Sequence, residues 1–258
     1  MLMLAISVVS RAYGNFPEGV WTPMADAPGT GGFGLVYDGG DYLYAIVDGN
    51  LSRYSISGDS WEILTTPPER PLGWVGFAYS AGNIYLSTSS ILGSWFLRYD
   101  IALDTWTYLT EAGGGPMEYV GGDYLYANTL RELYVSPFFQ RYSISGDSWE
   151  AKADPPETRL HDLVYTGGDY LYAITYFEAF YRYSISGDSW ETMANTPGDV
   201  GGASLAYDGG DYIYALRGSD FTDFWRYSIS GDSWETMANT PADVFVSDSL
   251  AYAGGYIY

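Results

Sequence analysis

The chain has 258 residues, 47% hydrophobic and 18% aromatic, enough to bury a large core, and its 11 basic against 32 acidic residues leave a formal net charge of −21. Such a charge repels phosphate backbones and anionic lipid, which sets nucleic-acid binding and membrane insertion aside. Cysteine is absent, which removes disulfides, thiolate metal sites, Cys nucleophiles and thioether-linked groups together; no cofactor or metal is expected.

The first ten residues, Met1 to Ser10, are apolar but lack a basic leader and are too short to span a bilayer. From there the chain repeats. Tryptophans recur at Trp21, Trp61, Trp106, Trp149, Trp190 and Trp234, at intervals of 40, 45, 43, 41 and 44 residues. The string RYSISGDSWE begins at Arg53, Arg141, Arg182 and Arg226, with a variant, RYDIALDTWT, from Arg98. A period of this size in a strand-rich sequence predicts propeller blades.

Each unit reads as four strands. Strand a is a short apolar run ending in tyrosine: Tyr37, Tyr79, Tyr119, Tyr165, Tyr207 and Tyr252. A glycine turn, such as Asp38 to Asp41, leads into strand b, YLYA or YIYA. Strand c is RYSIS, and Gly-Asp turns it into strand d, WETMA and its variants. Tyrosines alternate with Leu, Ile and Ala in strand b, so both faces are apolar, as radially packed sheets require. The carboxyl end, Ser249 to Tyr258, supplies only strands a and b, while Arg11 to Ala25 supplies only c and d. The two ends are therefore expected to close one blade jointly, which removes exposed strand edges. The predicted fold is all-β: a six-bladed β-propeller of four-stranded antiparallel blades, one domain over residues 1–258 with six repeats of about 43 residues.

These residues resemble the kelch-type β-propellers. The likeness rests on a tyrosine seven residues before five of the repeating tryptophans, in Tyr54/Trp61, Tyr99/Trp106, Tyr142/Trp149, Tyr183/Trp190 and Tyr227/Trp234, lengthened by one in Tyr13/Trp21, and on the PPER of Pro67 to Arg70 and PPETR of Pro155 to Arg159. The family's glycine doublet after strand b is reduced here to lone Gly49 and Gly218. The resemblance implies a binding platform, with a minority of sugar-acid epimerases and copper oxidases. The copper chemistry needs a Cys-Tyr crosslink and two histidines, against no Cys and one His here.

Internal variation sorts by blade end. The b–c segments run 7, 11, 13, 8 and 10 residues and the d–a intervals 13 to 18, whereas the a–b and c–d turns hardly change. Insertions gathered on one rim of a repeat fold mark its binding face. Arg70, Arg131, Arg159 and Arg217 lie in those variable segments, as do Trp74, Trp95 and Trp225 or their strand edges; arginine with aromatics suits carboxylates and sugar faces. The strand-c arginines, by contrast, are expected to pair with acids as structural ties. Glu118, His161 and Asp162 break the apolar pattern of strand a, where ionisable groups suit ligand binding or proton transfer. Two functions follow. One is a non-enzymatic propeller that presents its b–c/d–a face to a protein or glycan partner, in a cell-surface or extracellular setting; the other is a sugar-acid binding or processing enzyme with an arginine-lined site.

Overall fold

A computed structural model describes residues 10–13, 21–29, 31–71, 74–90, 93–111, 113–129, 138–219, 221–242 and 250–258. The strands are β1 (Ser10–Tyr13), β2 (Trp21–Pro23), β3 (Gly32–Tyr37), β4 (Tyr42–Val47), β5 (Asn50–Ser55), β6 (Ser60–Ile63), β7 (Trp74–Ser80), β8 (Asn83–Ser90), β9 (Gly93–Asp100) and β10 (Thr105–Tyr108). They continue with β11 (Met117–Tyr119), β12 (Tyr124–Asn128), β13 (Phe139–Ser143), β14 (Ser148–Ala151), β15 (Leu160–Tyr165), β16 (Tyr170–Thr175), β17 (Phe180–Ser184) and β18 (Ser189–Thr192). The last are β19 (Ala203–Tyr207), β20 (Tyr212–Arg217), β21 (Phe224–Ser228), β22 (Ser233–Thr236), β23 (Tyr252–Ala253) and β24 (Tyr256–Ile257). No helix occurs among the described residues.

The fold is a β-propeller of four-stranded antiparallel blades. Five blades, β3–β6, β7–β10, β11–β14, β15–β18 and β19–β22, are meanders continuous in sequence. The chain ends pair in a further sheet of order β2-β1-β24-β23, whose strands are only two to four residues long. The six like blades expected from the tryptophan spacing thus resolve as five complete blades and one small terminal sheet. Over the described residues the ladder here is short: β23 and β24 have two residues each around the Gly254-Gly255 turn, continued by the mutual backbone bonds of Ala251 and Tyr258, against six residues in strand β4.

Contacts group into two compact units. The first, Met1–Thr66 with Tyr176–Ala179 and Met193–Tyr258, holds blades β3–β6 and β19–β22 and the terminal sheet; the second, Pro67–Thr175 with Phe180–Thr192, holds the other three blades. Each core lies between facing sheets. In the second unit Ala78, Tyr85 and Phe96 pack against Met117, Leu125 and Tyr142, and Tyr126 and Phe139 pack against Leu163, Leu171 and Tyr183. In the first, Leu43 and Tyr54 meet Ala251 and Tyr258, while Tyr214 and Phe224 meet Leu250 and Ile257. The inner strands read as buried on both faces for this reason, and each fully buried aromatic contributes about 2–3 kcal/mol.

The repeat motif has a physical account. Tyr54, Tyr142, Tyr183 and Tyr227 in strand c donate their hydroxyls at 2.6–2.7 Å to Asp59, Asp147, Asp188 and Asp232, five residues on. The same Oδ1 atoms accept the backbone N–H of Ala25, Thr110, Ala153 and Ala194, residues of the preceding repeat. Two residues further, the indoles of Trp61, Trp149, Trp190 and Trp234 donate to the carbonyls of those same four residues. Tyr, Asp and Trp of one repeat therefore grip a single peptide segment of the one before.

The c–d turn also differs from simple glycine chemistry. The residue at positive φ is the aspartate, at 43–45° in Asp59, Asp147, Asp188 and Asp232, not the glycine before it. Glycine suits this position beside a serine: a Cβ on Gly58 would lie 2.9 Å from Ser55 Oγ, which accepts the Gly58 N–H. The variant repeat keeps this cap by other means, since Asp100 Oδ1 accepts the N–H of Leu103, which stands in the glycine position. Strand-c arginines serve as the expected ties. Arg53, Arg182 and Arg226 bond Glu62, Glu191 and Glu235 at 2.5 Å, Arg141 bonds Glu150, and each guanidinium lies 4.2–4.5 Å from the centre of a strand-b tyrosine ring.

Candidate binding rim

In the first unit, the segment Thr196 to Gly201 joins two neighbouring loops. Its Thr196 N–H donates to the Glu178 carbonyl at 2.9 Å and its Gly201 N–H to the Tyr176 carbonyl at 3.0 Å, which fixes the loop Tyr176–Ala179. On the other side, Arg217 Nε donates to the Asp199 carbonyl at 2.7 Å and Ser219 Oγ to the Gly201 carbonyl at 2.5 Å. The Gly218 backbone is so close that a Cβ would lie 1.7 Å from the Gly202 oxygen. This explains the lone Gly218.

Both flanking loops turn aromatics to water. Tyr176 and Phe177 are 43% and 59% exposed, with ring centroids 5.3 Å apart, and Phe221 is 42% exposed. Arg217 covers one face of Phe221, its guanidinium carbon 3.5 Å from the ring centre, and its Nη1 bonds Asp223 Oδ2 at 3.1 Å. Glu178 and Asp199 are exposed beside them. Sequence reasoning reached Arg217 but missed the three rings. The available signal was aromatic residues standing outside strand alternation, in YFEAF after Thr175 and in SDFTD after Gly218.

The remaining predicted residues fall elsewhere. Arg70 and Arg159 are exposed and belong to the second unit; Arg131 lies outside the described residues. Trp74 opens β7, paired with Ser89, and half-buried Trp95 on β9 folds back toward Gly93. Trp225 is a core residue, 3% exposed, with its ring 6.4 Å from that of Trp234.

In the second unit Glu118 feels the charge of Asp162, and His161 that of Arg159. Glu118 on β11 accepts the Tyr165 N–H of β15 at 3.3 Å, and Asp162 Oδ1 accepts the Leu163 N–H at 2.8 Å. A register shift between Leu160 and Asp162 sets His161 in a bulge, where it is buried. Burial, with the Asp162 charge adding to it, pushes the Glu118 carboxyl up to about 8 despite the Tyr165 N–H. Burial and then the Arg159 charge hold His161 down at about 4. At neutral pH the group thus presents a protonated acid and a neutral imidazole.

Among the described residues no cluster of three or more His, Asp or Glu side chains has the spacing to hold a metal ion, and no helix is long and apolar enough to cross a membrane. No protein-family model matches the chain, the kelch family included, and no curated protein matches it either.

Proposed function

We propose that this chain is a binding propeller without catalysis, a single domain in which the terminal sheet serves as the sixth blade, and that it presents its b–c/d–a loops to a partner in a surface or extracellular setting. The observation that carries the reading is the set Tyr176, Phe177 and Phe221: three exposed rings on loops hydrogen-bonded to one connecting segment, Thr196 to Gly201. Exposed aromatics held in place lose little entropy on binding and supply large contact areas. The test is a combined peptide and glycan array read with the protein and with a Y176A/F177A/F221A variant. Ligands retained by the protein and lost by the variant support the reading, and ligands indifferent to the change overturn it.

A sugar-acid site built on Glu118, Asp162, His161 and Arg159 is the second reading, favoured by the neutral carboxyl of Glu118 beside the Asp162 charge, an arrangement suited to general acid work. Incubation with uronic-acid oligosaccharides tests it: turnover that disappears in Glu118→Gln supports it, and no turnover by the unaltered protein removes it.

A further inference from the structure

Resting on the binding reading above, we infer that the rim formed by Tyr176, Phe177, Phe221, Glu178 and Asp199 takes a basic peptide segment, with Lys or Arg side chains laid over the rings. Three features of the rim converge on a cation. The rings are 42–59% exposed, and a cation over a ring face is attracted by the ring quadrupole, most strongly where water is excluded. The acids beside them, Glu178 and Asp199, are exposed and able to accept charge-assisted hydrogen bonds. The local cation, Arg217, is already committed to the Asp199 carbonyl, to Asp223 and to one face of Phe221. It therefore neither repels a basic ligand strongly nor remains free to grip an acidic one.

Arg217 on Phe221 also supplies an internal example of the contact. One face of that ring holds a guanidinium 3.5 Å from its centre, and the ring still keeps 42% exposure for a second. The whole-chain charge of −21 acts in the same direction, since it steers basic segments inward, repels acidic glycans and does nothing for neutral ones. Of the partner chemistries an aromatic rim accepts, the basic peptide is the one that uses the carboxylates, the rings and the field together.

The test is fluorescence anisotropy with a labelled Arg-Gly dodecapeptide, a Glu-Gly counterpart and a neutral labelled cellohexaose, using the protein and an F177A/F221A variant whose melting curve matches it. The expected result is binding of the Arg-Gly peptide alone. It should weaken by about tenfold between about 50 and 300 mM salt, and by about fivefold or more in the variant, whose net charge is unaltered. Equal peptide binding by the variant means diffuse charge attraction and overturns the inference, as does equal binding of the Glu-Gly peptide. Cellohexaose bound by the protein and lost by the variant, with no peptide bound, overturns the basic partner while leaving the rim as the binding surface. If none of the three probes binds, the basic-peptide assignment is rejected, and the array decides the rim separately.

Discussion

The Trp190 indole donates to the Ala153 carbonyl at 2.7 Å, while the amide of that same Ala153 donates to Asp188 at 2.9 Å, so one residue of a repeat is held by two of the next. The two bonds differ in what their loss leaves behind. Trp190→Phe keeps a ring in place and frees a carbonyl near the surface, so a loss of about 1 kcal/mol is expected. Asp188→Ala removes the acceptor for Ala153 and for Tyr183 and leaves a β-carbon at a φ of 45°, for an expected loss of about 3 kcal/mol. Asp188→Asn tolerates that φ and keeps one oxygen, so it should fall between them. Urea denaturation of the three variants checks the order.

Acidity should act on Glu118 in an unusual direction. Its folded value, about 8, stands above its ordinary 4.5, so folding favours the protonated form. The stability this gives is complete below about pH 4.5 and is lost as pH rises toward 8. Glu118→Gln, which cannot ionise, should flatten the stability profile across that window. His161 works oppositely: held near 4 against an ordinary 6.5, its contribution is present above 6.5 and fades as pH falls toward 4. Melting temperatures from pH 4 to 9 for the protein and the Glu118→Gln variant separate the two slopes.

Gly76 and Gly82 predict a contrast within one blade. A Cβ on Gly76 would lie 2.0 Å from the backbone oxygen of Gly115, which cannot move aside without shifting the neighbouring blade. Gly76→Ala is expected to cost about 3 kcal/mol or more. Gly82 has open space around it, and only its φ of 82° opposes a side chain, so Gly82→Ala should cost about 1 kcal/mol. Thermal melts of the two variants provide the comparison.

Removal of residues 1–13 deletes β1, the strand that joins β2 to β24. The expected outcome is a lower and broader melting transition, because β24 then exposes an edge and Trp21 loses the strand that positions its bond to the Ala238 carbonyl. An unchanged transition in circular dichroism would show that the terminal sheet contributes nothing to stability.

The strands were legible because tyrosine, tryptophan and glycine recur at fixed offsets, and residue type alone suggested that strand-c arginines such as Arg53 pair with an acid, which the structure identifies there as Glu62. The role of Asp59 was not legible. Gly-Asp is a sufficient turn signal, and nothing in local sequence announces that the carboxylate bonds Ala25, 34 residues earlier. The constant spacing from Tyr54 to Asp59 to Trp61 was the available hint. The rim was half legible: loop-length variation located it, but Arg217 looked like a free ligand group because its main partner is the Asp199 backbone carbonyl, which sequence does not display. Trp225 misled for a related reason, since this tryptophan outside the repeat motif is buried with its ring against Trp234 of the motif.

The bonds by which the aspartate and tryptophan of one repeat hold the last all reach main-chain atoms on the receiving side, at Ala25, Thr110, Ala153 and Ala194, with a side-chain bond added only where the residue is Thr110. An amide and a carbonyl are present whatever the side chain, so a copied unit arrives carrying both a working plug and a working receptacle. Near-identical modules can then multiply by unequal recombination with these bonds retained, and the exposed loops are left as the part of each module open to selection.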